Sequence, residues 1–360
     1  MPYGLSAESR RTTPDAHFVM VTIRMLLGMI IALTSLCGSG VDAGGCGDPA
    51  ANVRLTPQHL HRLKLERQRQ TPRWSSFENR VQTVPDSPQR GFELALYYLL
   101  THDAERGRQA VAWAASHANE AGQRAIVADW CSDLLSADQK AQWAGGQTKT
   151  RAATSGDPKA SPNERAALLL LSLQPSDFEH PSWQTHVYGL RLVAQNPNLP
   201  NAQFLQSWVL QSDQTIREGP GVAYEFLWAD PYLPGVSYQN MEPWVYDTTG
   251  RLFARSDWTG HACWISISAQ GVQQQNCPPD WRSKAASFGH LTLVPFHERC
   301  LQVEPAGNSA DNNGALILWN LPPGQKVTYR YQNQQMSGEA DPAGMLRAPG
   351  GLEGKVCVAR

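Results

Sequence analysis

The sequence predicts an α+β protein: an array of helical hairpins over residues 46–235, followed by an antiparallel β-sandwich over residues 236–360. Helix-start signals recur from Leu55 to about Asp230. After Pro231 the apolar residues alternate, and turn clusters such as "PAGNSADNNG" and "PPG" separate the alternating runs. At 360 residues with a formal net charge of −1, the chain is long enough for one large or two ordinary domains. It lacks the basic excess that gathers nucleic acid. Its 12 tryptophans, 29 glycines and 25 prolines against 18% charged residues describe a loop-rich, aromatic-rich globular protein rather than a disordered one.

Residues 1–45 differ from the rest. Arg24, the apolar run Met25–Leu36 ("MLLGMIIALTSL") and the small-residue stretch "CGSGVDAGGC" follow the order of a secretory signal peptide, and the run is short for a bilayer span. Two cleavage readings fit. Val41-Asp42-Ala43 suits ordinary signal cleavage, whereas Ala43-Gly44-Gly45-Cys46 is an imperfect lipoprotein box that would attach the protein to a membrane through a lipidated Cys46. An uncleaved anchor is the third. The polar residues 1–19 add no apolar length, so a start at Met20 or Met25 is also open.

In the helical part, Thr56-Pro57, Ser87-Pro88 and Ser161-Pro162 each set an N-cap hydroxyl before a proline at the first helical position, and Glu164 completes a capping box with Ser161. Residues 91–118 read as two antiparallel helices broken near His102-Asp103. "RAIVADWCSDLLSADQKAQW" gives a helix through Leu135, then Ser136 and Gln139 as the capping box of the next. The stretch 144–162 reads as an exposed loop. "NERAALLLLSLQ", "WQTHVYGLRLVAQN" and "NAQFLQSWVLQSDQTIREG" continue the array.

The "DTTG" turn at 247–250 launches the first long strand. In "ACWISIS", Cys263, Ile265 and Ile267 share one face, with Trp264, Ser266 and Ser268 on the other. "HLTLV", "ALILW", "KVTYRY" and "KVCVA" alternate similarly and read as half-buried strands. Export makes disulfides among Cys263, Cys277, Cys300 and Cys357 expected, with Cys131 a buried thiol; the pairing is not readable. No Cys/His spacing suits zinc, no cofactor or metal is implied, and no catalytic-triad order, phosphate loop or nucleotide fingerprint stands out.

The stretches "RGFELALYYLLTHD", "RAIVADWCSDLLSADQKAQ" and "GRLFARSDWTGHACWISISAQG", within residues 74–294, resemble the heparinase II/III-like and alginate-lyase-like polysaccharide lyases. The resemblance implies an incomplete (α/α) toroid with the β-sandwich beside it, and β-elimination on an acidic polysaccharide. The family's strand after the Ala-aromatic strand usually carries a His-x-His or His-x-x-Asp group; the corresponding stretch here, "WRSKAASFGHLTLVP", contains only His290. Arg255 and Trp258 match family positions that tie the sandwich to the toroid. The alternative is a non-catalytic envelope protein or lipoprotein that binds a glycan or a partner on the same scaffold.

A polyuronate lyase must neutralise the sugar carboxylate, remove the C5 proton and protonate the leaving oxygen, work for Asn, Arg, His and Tyr. Tyr238 and Asn240 in "LPGVSYQNMEPW" sit where helices give way to strands, the expected place for a cleft. His290, after Phe288-Gly289, completes the catalytic candidates. Arg255 is a candidate for substrate binding, and Trp74, Tyr97 and Trp130 for stacking on sugar rings. Each has a structural alternative: Tyr238 and His290 as fillers of the seam, Arg255 as a tie across it, the other aromatics as core. His186 and Tyr188 read as helix packing, and the cationic run Arg62, Lys64, Arg67, Arg69 and Arg73 either attracts an acidic polymer or forms a solvated helix face.

Overall fold

A computed structural model describes residues 55–150, 160–211, 219, 221–303, 314–332, 334–349, 352 and 354–358. The Met25–Leu36 run, the cleavage sites and Cys46 lie outside the described residues. Among the described residues no helix is long and apolar enough to cross a membrane.

The helical part comprises α1 (Pro57–Gln68), α2 (Pro72–Thr83), α3 (Arg90–Thr101), α4 (Ala104–Ser116), α5 (Ala121–Trp130), α6 (Ala137–Thr150), α7 (Pro162–Ser172), α8 (Pro175–Glu179), α9 (Trp183–Gln195), α10 (Pro200–Gln211) and α11 (Gly221–Trp228). Local chemistry sets most of the starts. Thr56 Oγ1 accepts from His59 N at 3.2 Å. Ser161 and Glu164 form the full capping box at α7, and Ser136 and Gln139 cap each other's backbone N–H before α6. His102, at φ 58°, ends α3, and Asp103 caps α4, so the break falls where the sequence places it.

Three expectations need correction. Ser87-Pro88 does not start a helix: α3 begins at Arg90, because Ser87 Oγ is held in a buried cluster, donating to Glu93 Oε1 (3.0 Å) and accepting from Arg80 Nη2 (2.9 Å). The helix read through Leu135 stops at Trp130 and tightens into a 3-10 turn at Ser132–Leu134. The loop read from residue 144 is helical to Thr150, since extending a capped helix is far easier than nucleating one; residues 151–159 lie outside the described ones.

Consecutive helices pack as neighbours where they form hairpins, α3 with α4, α5 with α6 and α9 with α10. Helix α11 returns to pack against α2 and α9, and Tyr224 stacks on Phe92 at 4.4 Å while its hydroxyl donates to Gln89.

Twelve strands form three four-stranded sheets among the described residues, ordered β1-β2-β3-β4, β11-β8-β6-β5 and β10-β9-β12-β7. Their ranges are β1 Trp244–Tyr246, β2 Leu252–Arg255, β3 Trp264–Ser268, β4 Gly271–Gln275, β5 Ala286–Phe288, β6 Leu291–Pro295, β7 Cys300–Val303, β8 Ala315–Trp319, β9 Lys326–Tyr331, β10 Gln334–Glu339, β11 Leu346–Pro349 and β12 Gly354–Val358. The sheet of β8 and β6 lies between the other two. On β8, Ala315, Ile317 and Trp319 join a core with Leu252, Ala254, Ile265 and Ile267 of β2 and β3. Its alternate residues Leu316 and Leu318 join a second core with Val327 and Val356 of β9 and β12. "LTLVP" and "ALILW" are therefore buried on both faces, not half-buried as their alternation suggests.

Nor is the sheet purely antiparallel. β6 and β8 pair in parallel, from Leu291↔Ala315 to Pro295↔Trp319, because the chain leaves this sheet for β7 and comes back. Cys263–Cys277 closes the open end of the β3–β4 hairpin, and Cys300–Cys357 joins directly paired residues of β7 and β12. Cys131 is a buried free thiol, pushed up to about 12 by burial and then by Asp133.

Candidate functional site

The junction of helices and sheets is built from two turns of the same type. In Asp247-Thr248-Thr249-Gly250 and in Asp257-Trp258-Thr259-Gly260, the aspartate Oδ1 accepts from the threonine N (2.9 Å in both) and from its hydroxyl. A helix carboxylate then receives a turn N–H in each: Thr248 N donates to Glu164 at 3.3 Å, and Gly260 N to Glu179 at 2.7 Å. β2 runs between the two turns and β3 follows the second, and the helix-facing side of this strand pair carries Phe253, Arg255 and Trp264. Trp264 Nε1 donates to Leu171 O of α7 at 2.8 Å.

Arg255 is fully buried and forms no ion pair among the described residues. Its Nε donates to Asp257 O (2.7 Å) and its Nη1 to Leu170 O (3.4 Å), and its guanidinium lies 4.2 Å from the Phe178 ring centre and 4.9 Å from that of Trp258. Burial lowers its pKa to about 10, opposed by the nearby Asp257, so it stays cationic at neutral pH. Its enclosure and its ties to Leu170 and Asp257 are those of a bracket across the seam.

Tyr238 closes this box, its ring 5.5 Å from Phe178 and 5.8 Å from Trp258. Desolvation pushes its phenol up, which opposes use as a base. Asn240 is exposed at the end of the 3-10 turn Tyr238–Asn240. His290 is also exposed, and its Nδ1 pairs with the Glu242 carboxylate. Tyr238 and His290 share no ring or hydrogen-bond partner among the described residues. Among the described residues no hydrogen bond, ion pair or ring contact joins Tyr238, Asn240 and His290 to one another.

The candidate stacking aromatics are interior. Trp74 is 1% exposed, stacked on Tyr97 at 5.6 Å and flanked by Phe77 and Phe226. Trp130 is buried beside Phe92, and half-buried Tyr97 donates its hydroxyl to Glu78. The cationic run is also largely consumed. Arg67 Nη1 donates to Leu100 O at 2.7 Å, Arg73 Nη2 to Glu225 O and Phe226 O at 2.7 and 2.9 Å, and Arg62 pairs with Asp230 at 3.0 Å; Lys64 and Arg69 remain exposed.

Open space is found within the helical array. A cleft of about 380 Å³ lies between α2, α9, α10 and α11, with Arg73, Ser76, His186, Gln206, Glu225 and Asp230 as its polar lining and Leu210, 58% exposed, on its edge. A second, of about 540 Å³, lies beside the starts of α1 and the end of α9, lined by His59, Arg62, Trp228, Asp230 and Leu233 among others. Both volumes fall within the roughly 300–1,000 Å³ usual for small-molecule sites. Asp230 borders both, and a string of ion pairs, Asp230–Arg62 (3.0 Å), Arg62–Glu66 (3.9 Å) and Glu66–Arg73 (3.1 Å), runs along the wall between them. The arginines also satisfy the last carbonyls of α11, where cations suit the helix dipole.

The sequence singles out His186 and these arginines but not the clefts, because their walls come from helices more than a hundred residues apart. Among the described residues no group of three or more His, Cys, Asp or Glu side chains is placed to hold a metal. No protein-family model matches the chain, and no curated protein matches it.

Proposed function

We propose that the chain is an exported, non-catalytic binding protein whose ligand is a hydroxyl-rich molecule of the glycan class, held in the cleft between α2, α9, α10 and α11. The observation that carries this reading is the cleft's lining. Donors and acceptors of both signs, Arg73 beside Glu225 and Asp230, with Ser76, His186 and Gln206, surround a concave space with apolar Leu190, Val209 and Val222. Mixed charge suits an uncharged polyol, whose hydroxyls both donate and accept, better than a polyuronate, which the two carboxylates would repel. The two disulfides support export to an oxidising compartment.

The test is retention of the purified protein on gels or arrays bearing neutral and acidic polysaccharides, with ultraviolet absorbance followed in parallel for unsaturated sugar ends. Binding without new absorbance is expected. Ser76 is exposed at the cleft, so Ser76→Trp fills it and abolishes retention while leaving the melting temperature unchanged. Eliminase activity on a uronate polymer would restore the lyase reading. Absence of retention on every glycan would remove the binding reading.

A further inference from the structure

The two clefts are separated by one short segment, Asp230-Pro231-Tyr232-Leu233. Asp230 and Pro231 line the smaller cleft, and Asp230 and Leu233 line the larger. Tyr232, between them, lines neither and is 80% exposed, the largest exposure among the large hydrophobic side chains described. An aromatic ring is costly to leave in water, and this one stands on a backbone that is held firmly. Gln206 Nε2, on α10, donates to both Asp230 O and Leu233 O at 3.3 Å, and Tyr232 N donates to Asp230 Oδ1 at 3.1 Å. Just beyond, Val236 N donates to Gln203 O at 3.1 Å, and Gly235 packs so closely on α10 that a Cβ there would come within 2.8 Å of Ser207 N. The ring therefore has a fixed base and an open face.

Building on the proposed glycan reading, we infer that the two clefts and Tyr232 form one extended site for a linear oligosaccharide, with a sugar unit in each cleft and Tyr232 as the stacking platform beneath the unit that crosses the wall. A sugar ring has an apolar C–H face and a polar rim. An exposed aromatic between two hydroxyl-binding clefts presents the matching surface in the matching order. The wall itself is not an obstacle that must move: Asp230, which borders both clefts, and its partner Arg62, which borders the larger, offer an acceptor and a donor to the hydroxyls of the crossing unit. A ligand confined to one cleft would leave Tyr232 unused.

The experiment is calorimetric titration of the purified protein with hexasaccharides of cellulose, chitin and polygalacturonate and with the corresponding monosaccharides. It is repeated on Tyr232→Ala, a change at an exposed side chain, with the melting temperature measured to verify that the fold is kept. At least one hexasaccharide should bind ten or more times more tightly than its monosaccharide. Tyr232→Ala should weaken that hexasaccharide about three- to tenfold, the scale of one aromatic contact, without changing monosaccharide binding. If saccharides bind with no dependence on length or on Tyr232, the extended site fails while the glycan reading stands. If none binds, both fail. If Tyr232→Ala instead abolishes a self-association seen by sedimentation, the ring is an interface between copies and the extended site is overturned.

Discussion

Arg255 shows how a cation can be retained inside a protein without a carboxylate partner. Two aromatic faces and two carbonyl oxygens replace water around a planar guanidinium, a geometry that an ammonium cannot reproduce. Arg255→Lys should therefore lose about 2 kcal/mol or more in urea unfolding, the scale of a desolvated cation–π contact together with charged hydrogen bonds. Tyr238→Phe should stay within about 0.5 kcal/mol of the parent, since the phenol makes its contacts through the ring; glycan retention should be unchanged. His59 gives a pH dependence of definite sign. Burial, followed by the charge of Arg62, holds its pKa below the ordinary value, with the Leu227 carbonyl and Asp230 opposing and Arg73 adding to the fall. The unfolded chain therefore takes up a proton near pH 6.5 that the folded chain refuses. Stability is full above that pH, and declines as pH falls from about 6.5 towards the lower folded value, by no more than about 1.4 kcal/mol per pH unit. Urea midpoints of the parent and His59→Gln, compared from pH 7.5 to 5, should diverge only in the acid part of that range.

At the level of elements, legibility followed the range of the interactions. The Ser161–Glu164 box was readable because both partners lie within one helical turn, and Ser161→Ala should cost about 1 kcal/mol, measured as a lower melting temperature with the β-sheet signal intact. Ser87-Pro88 carries the same local signature and misled, because Ser87 Oγ is claimed by Arg80 and Glu93, partners brought together where α2 packs against α3. Strand patterns behaved alike. "ACWISIS" showed its two faces correctly, with Ile265 and Ile267 in the β core and Trp264 against α7. In "HLTLV" the polar Thr292 imitates a solvent-facing position although it is 9% exposed within the middle sheet. Of the site candidates, the sequence located Arg255 and Tyr238 at the seam. It did not locate the clefts, whose lining depends on α11 returning against α2.

At the largest scale, four layers follow one another among the described residues: helices, the β1–β4 sheet, the middle sheet and the β7–β12 sheet, with a disulfide in each outer sheet. A closed loop restricts the unfolded chain. With sequence separations of 14 and 57, Cys263–Cys277 and Cys300–Cys357 should contribute about 3 and 4 kcal/mol. Reduction should accordingly lower the urea midpoint strongly. Alkylation without reductant should label none of these four cysteines in the native protein, and should reach Cys131 only after unfolding.

Strand β12 has a consequence for how the molecule is made. It sits inside its sheet, between β9 and β7, rather than at an edge, and carries Cys357. The ribosome makes it after every other strand of that sheet, so β7 must wait more than fifty residues for its neighbour, with its backbone and its thiol open to wrong partners. This interval is when holding chaperones and disulfide isomerases have something to grip. A chain cut before Gly354 never leaves that state, and a protease that samples unpaired strands would remove it while sparing full-length copies.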